Sequence, residues 1–289
     1  MHFTEDDFEN AILELFREQL GYDYVYGPNV MRDYAEPLFV EVLEAVLPQI
    51  NRGLPQAAID EAMVKIRTYE GGTLVQKNEL FTDYLQNGVA VNYFDGREQC
   101  SANVRLVDYD SPLHNRFTIA NQWTVDGHSV RRADMIVFVK LKSPSRENTD
   151  VSEAYAQLRN YMQEIPSLFI YNAFCVMSDQ AMTKAGTITA GEDRFMQWKT
   201  VDGSYEDTHS ANFDVLFAGM FEKTRFVELL RNFVCYSKDG KQDIKILSAY
   251  HQFYAVHKAV LSTVKAAETD GRGGVFWHTQ GSGKSLSMV

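Results

Sequence analysis

Cysteine is scarce and scattered. The chain has three, Cys100, Cys175 and Cys235, an odd number with no CxxC pair, which excludes a disulfide framework and suggests no zinc site. Buried, reduced thiols are the expectation. Long apolar runs are also missing, and none approaches the ~20 residues that a membrane span needs. The opening MHFTEDDFENAILELF lacks the basic and then apolar layout of a signal peptide. A cytoplasmic protein with no membrane partner is therefore expected. There is no internal repeat, coiled coil or low-complexity tract. Positive charge is in deficit, with 28 Lys and Arg against 39 Asp and Glu, a net charge of −11. Such a sum argues against nucleic-acid binding, because phosphate contacts need Lys and Arg. Distribution matters more than the sum. Arg131, Arg132, Lys140, Lys142 and Arg146 meet only one acid, Asp134, in an otherwise acidic chain.

What is present is ordinary globular material, 45% hydrophobic and 23% charged. A length of 289 residues suggests one large domain and part of a second. Thr4 can cap a helix whose apolar residues Phe8, Ala11, Ile12, Leu15, Phe16 and Leu20 fall at helical spacing, with Gly21 placed to end it. Further helical patterns cover Pro37–Ile50, Pro55–Tyr69 and Lys77–Gln86. Strand-like stretches follow at Asn103–Val107, Arg116–Asn121 and Ala133–Val139. Ser152 opens another helix that stops near Pro166, and the apolar run LFIYNAFCVMS reads as a buried strand. This order indicates an α/β (α+β) domain with a mixed sheet flanked by helices. Residues 179–243 form a packed connector with a helix at Glu222–Val234 and a turn at SKDGK; FDVLFAGMF and FVELLRNFV are too apolar for a tether. A strand at Asp243–Leu247, a helix at Tyr250–Ala267 and a strand at Gly274–His278 complete the pattern. The expected division is 1–178, 179–243 and 244–289.

Residues 275–285, VFWHTQGSGKS, read as a strand, a glycine loop and a helix start. Glycines let backbone N–H groups curl toward phosphate, and the helix N-terminus adds partial positive charge. Thr279, Gly281, Ser282 and Gly283 would cradle ATP, Lys284 would reach its β and γ phosphates, and the Ser285 hydroxyl would ligate Mg²⁺. The loop is a variant, since His278 stands where the common pattern has glycine. Gln252 opens a helix about thirty residues upstream, where helicases of superfamily 2 read the adenine edge. A motor also needs a carboxylate for Mg²⁺ and an arginine from a second lobe. Neither follows Ser285 in this sequence, so an incomplete ATP site is expected.

Asp134 heads the apolar strand of RRADMIVFV, and Lys140-Leu141-Lys142 and a helix follow. An acid on one strand and acid-x-Lys on the next is the layout of PD-(D/E)xK nucleases. Residues i and i+2 of a strand face one side, so acid and lysine can meet one phosphate while the neighbouring Asp completes an oxygen cage for Mg²⁺. Over its whole length the chain resembles the N-terminal part of the R subunits of type I restriction enzymes, the HsdR family. FENAILELFREQLGY, RRADMIVFV, LKSP, EAYAQLRNYMQEIPSLFIYN, AGTIT with RFMQWK, LLRNFV and WHTQGSGKSLSMV carry that resemblance. It implies a restriction-endonuclease-like fold followed by the first elements of a RecA-like motor. Catalytic roles for Asp134 and Lys142 are implied, with Gln157 and Tyr161 matching the family's Q-x-x-x-Y, four apart on one helical face. Metal ligation falls to Asp134 and to Glu9 on the first helix. The implied partners are double-stranded DNA and the methyltransferase and specificity subunits. The implied function is Mg²⁺-dependent cleavage of DNA when the attached motor stalls.

One departure stands out. The family's hairpin turn and motif Glu are missing between Asp134 and Lys142, and Lys140 stands where the Glu belongs. Only seven residues separate Asp134 from Lys142, too few for a strand, a two-residue turn and a paired return strand. A hairpin restored before Lys140 leaves the site charge-reversed, while one restored after Lys140 carries the Glu itself. A nuclease-inactive DNA-binding or assembly domain is the first alternative, and an NTP-binding adaptor the second.

Overall fold

The computed structural model describes residues 5–136, 139–141, 151–178, 182–204, 213–239, 242–269 and 271–275. Helix α1 (Glu5–Glu14) runs into a π-helical turn at Leu15–Gln19, burying Phe8, Ile12, Leu15 and Phe16 as the apolar spacing requires. Gly21, at φ +67, ends it in the left-handed region that glycine adopts without strain. Strand β1 (Asp23–Tyr26) follows. Helices α2 (Val40–Ile50), α3 (Gln56–Arg67) and α4 (Leu74–Asn87) lead to the hairpin β2 (Val89–Phe94) and β3 (Gln99–Val104). Thr73 and Gln76 cap α4 reciprocally. Leu47, Ile59, Ala62, Ile66, Val89, Val91 and Val104 close this subassembly around its own small core.

Strands β4 (Thr118–Asp126) and β5 (Val130–Ile136) form an antiparallel pair, and β1 joins β4 in parallel. After two residues outside the described set, β6 (Val139–Leu141) runs parallel to β7 (Cys175–Ser178), which pairs antiparallel with β8 (Thr183–Gly186). Helices α5 (Val151–Glu164) and α6 (Pro166–Ile170) connect β6 to β7. Helices α7 (Phe213–Phe221) and α8 (Lys223–Asn232), the hairpin β9 (Val234–Asp239) and β10 (Gln242–Leu247), and α9 (Tyr250–Ala267) complete the chain order. The architecture is mixed α/β, with two three-stranded mixed sheets and two hairpins among the described residues.

Two larger cores meet at the strands. The first joins α1, Ile119, Met135, Val176, α7, α8 and Phe253. The second joins Ala120, Trp123, Val125, the α5 residues Ala154, Leu158 and Met162, and Cys175 and Met177. β7 thus alternates between two cores, so its sequence reads as an unbroken apolar run.

Several expectations are corrected. The strand drawn at Asn103–Val107 is the end of a hairpin that begins at Val89. Within LFIYNAFCVMS only Cys175–Ser178 is strand; Pro166 starts a short helix over the first part, where its missing N–H costs nothing. Ser237, Lys238 and Asp239 of the expected turn extend β9. Gly274 and Val275 are not in a strand, and Val275 is 92% exposed. Residues 276–289, with Thr279, Gly281, Ser282, Gly283, Lys284 and Ser285, lie outside the described residues. No described helix is long and apolar enough to cross a membrane.

Candidate functional site

The β4–β5 ladder contains an irregular step. Asn121 pairs with Met135 and Trp123 with Ala133, which sets Gln122 opposite Asp134 in the register. A regular strand keeps alternate residues on one face. Here Ile119 and Met135 belong to the first core, whereas Val125, Trp123 and Ala133 turn to the second. Both strands therefore switch faces across Gln122 and Asp134. The backbone cause is Gln122, whose φ of +55 is the one positive value at a non-glycine residue among those described. Irregularities of this kind re-aim side chains and gather near active sites.

Glu9 reaches this step from α1. Its Oε1 accepts from Asn121 Nδ2 at 2.6 Å, and its Oε2 lies 3.3 Å from the Gln122 Nε2 donor. Tyr24 on β1 donates its hydroxyl to Asn121 Oδ1 at 2.9 Å, which fixes the orientation of that amide. The helix–π-turn–β1 sequence thus carries Glu9 onto the strand pair that contains Asp134. Asn121 and Gln122 were missed in the sequence, although two successive amides inside the strand TIANQWTVD break its apolar alternation.

The other expected residues are placed as follows. Gln157 and Tyr161 are half-buried on α5, and Tyr161 packs against the second core, the one away from α1. Arg131 forks onto Glu164 at 2.6 and 2.5 Å, clamping the start of β5 to the end of α5, so this member of the basic stretch is occupied by an ion pair. Lys140 pairs in register with Met177 in the β6–β7 ladder. β5 and β6 ladder with different strands, and Lys142 lies outside the described residues. Gln252 is 8% exposed; its Oε1 accepts from the Ala249 N–H at 2.9 Å, at the N-terminus of α9.

A family described as type I restriction enzyme R protein N terminus matches residues 2–194, and one described as SWI2/SNF2 ATPase matches residues 251–289. The type I restriction enzyme HindI endonuclease subunit of Haemophilus influenzae is 35% identical over 313 aligned residues, covering 99% of this chain and 29% of that protein. The putative type I restriction enzyme MjaIXP endonuclease subunit of Methanocaldococcus jannaschii is 28% identical, covering 97% of this chain and 30% of its own length. The chain thus spans about three tenths of these relatives. The first alignment is longer than the 289 residues of this chain, so that relative carries residues this one lacks. With a family match over most of the sequence, the chain belongs to the R protein N-terminal family of type I restriction enzymes.

Proposed function

We propose that this chain forms the DNA-cleaving portion of an ATP-driven type I restriction enzyme, hydrolysing phosphodiesters with Mg²⁺ when an attached motor stalls. The observation that carries the proposal is the meeting of Glu9 with the β4–β5 step at which Asp134 stands opposite Gln122. Glu9 brings one carboxylate to this step, and Asp134 is a second acid on the same strand pair; carboxylate oxygens suit a hard divalent cation. When bound, Mg²⁺ would polarise the phosphate and lower the pKa of a water. Glu9 and Asp134 would hold it, and Lys142 would steady charge developing on the phosphate. Gln157 and Tyr161 on α5 would position DNA or the strands beside it. The match of residues 251–289 to an ATPase family supports ATP binding by Gln252 and by Thr279, Gly281, Ser282, Gly283, Lys284 and Ser285. Double-stranded DNA, a methyltransferase and a specificity subunit are the proposed partners, and the cytoplasm the proposed location.

A second reading, a nuclease-inactive DNA-binding or assembly domain, is favoured by Lys140 at the place of the motif Glu. Plasmid cleavage by the assembled complex with Mg²⁺ and ATP decides between them. Cleavage should vanish in Asp134→Ala while ATP turnover persists. Wild-type complex that turns over ATP on DNA yet never cuts would establish the inactive reading.

A further inference from the structure

We propose that Asn121 and Gln122 are positioning residues for Glu9, and that the left-handed backbone at Gln122 serves to bring two side-chain amides onto that one carboxylate. The inference rests on the reading of Glu9 as a divalent-cation ligand.

Three features meet at the step. The first is the backbone itself. A φ of +55 is uncommon for a residue with a long side chain, and such strain persists only where the surroundings impose it. Glutamine lacks the short polar side chain that lets Asn or Asp enter this region more easily. The second is the face switch. With ordinary alternation Asn121 and Gln122 would point to opposite sides of β4, yet both amides reach Glu9, with Asn121 Nδ2 at 2.6 Å from Oε1 and Gln122 Nε2 at 3.5 and 3.3 Å from Oε1 and Oε2. The kink makes this convergence possible. The third is the cradle beneath it. A Cβ on Gly27 would fall 2.7 Å from the Gln122 carbonyl oxygen and 2.8 Å from that of Asn121. The turn after β1 is therefore pressed against the distorted backbone, and only glycine fits there. Tyr24 of the same strand holds the Asn121 amide from its oxygen side at 2.9 Å, leaving its N–H₂ to face the carboxylate.

The chemical consequence is preorganisation. A glutamate side chain on a helix has several staggered rotamers open to it. Amide donors on both oxygens select one orientation before any cation arrives, and each oxygen keeps lone-pair capacity for the metal. Partners of this outer kind typically change metal affinity by ~10–100-fold when removed.

The test separates site from scaffold by pairing metal affinity with thermal stability. Mn²⁺ binding is measured by electron paramagnetic resonance on the intact polypeptide without nucleotide, beside the Tm, for wild type, Gln122→Gly and Glu9→Gln. Glycine adopts φ +55 freely, so Gln122→Gly should keep or raise the Tm while weakening Mn²⁺ binding about tenfold. Glu9→Gln should weaken it further. Unchanged Mn²⁺ binding in Gln122→Gly, with binding lost in Glu9→Gln, overturns the positioning role and leaves Glu9 as a ligand. A lowered Tm in Gln122→Gly also overturns it, because the kink would then serve the sheet. Wild-type affinity in Glu9→Gln, or no saturable binding by the wild type, removes both the inference and the metal reading beneath it.

Discussion

Lys245 on β10 shows how one buried charge is accommodated. It is 2% exposed, and its Nζ donates to Asn78 Oδ1 at 2.8 Å and to the Asn172 carbonyl at 2.7 Å. Its ammonium end lies 5.7 Å from the centre of the Tyr236 ring, and no carboxylate forms a salt bridge with it among the described residues. Asn78 completes the cluster, with Nδ2 donating to the carbonyls of Phe169, Ile170 and Asn172 and Oδ1 also accepting from the Tyr236 hydroxyl. Desolvation pushes the amine down from 10.5 to about 7. Two acceptors suit a neutral amine, which has two N–H groups to give. Because the folded value lies below the unfolded one, the native state holds fewer protons between about 7 and 10.5. This group's contribution to stability therefore rises with pH across that window, and its full cost is present below it. Lys245→Met should flatten the rise in Tm between roughly pH 7 and 9. Above 9.0 the buried Cys175 thiol, pushed up to about 12 by desolvation, acts in the opposite sense, so the measurement stops there. A variant with the wild-type slope would show that Lys245 is not the titrating group.

Among the elements, α8 joins the candidate nuclease region to α9. Leu229 is fully buried in the first core, and Phe233 packs on Phe253 with ring centroids 4.6 Å apart. Leu229→Ala and Phe233→Ala should each cost ~2–5 kcal/mol in denaturant unfolding, the range for truncating large core side chains. Losses well under ~1 kcal/mol would mean that α8 is not packed as described. The helices were the legible part of the sequence. α9 spans Tyr250–Ala267 as its apolar spacing suggests, and Gly21 stops the α1 segment through its positive φ. Strands were less legible for a physical reason. β3 carries Gln99, Ser101 and Asn103, residues of low strand preference, and is held by its ladder with β2. The run before Cys175 is apolar throughout, and such a run cannot by itself distinguish buried helix from buried strand. At the candidate site, Glu9 was singled out by the family resemblance alone, and what the structure adds is its contact with Asn121 and Gln122. The Gln122 kink was not legible, because a positive φ at a glutamine runs against the preference of that residue type.

At the scale of the molecule, the first core draws on segments far apart in sequence. Phe16 meets Phe217 at 5.6 Å and Phe221 at 5.2 Å, Phe174 meets Phe221 at 5.6 Å, and the Tyr22 hydroxyl donates to the Phe221 carbonyl at 2.9 Å. The matched family region ends at residue 194, ahead of α7 and α8. A polypeptide cut there should therefore lose cooperative thermal unfolding and bind a dye for exposed apolar surface, the signs of a core without fixed packing. A sharp calorimetric transition near that of the whole chain would overturn this. The same long-range closure governs how the protein is made. Tyr22 and Phe221 are 199 positions apart. At ~5–20 residues per second, α1 leaves the ribosome some ~10–40 s before its aromatic partners exist. During that interval Phe8 and Phe16 lack their late partners Phe213, Phe217 and Phe221 and have only Tyr22 and the earlier strands of the core to pack on, so slow synthesis prolongs the exposure of this apolar helix face.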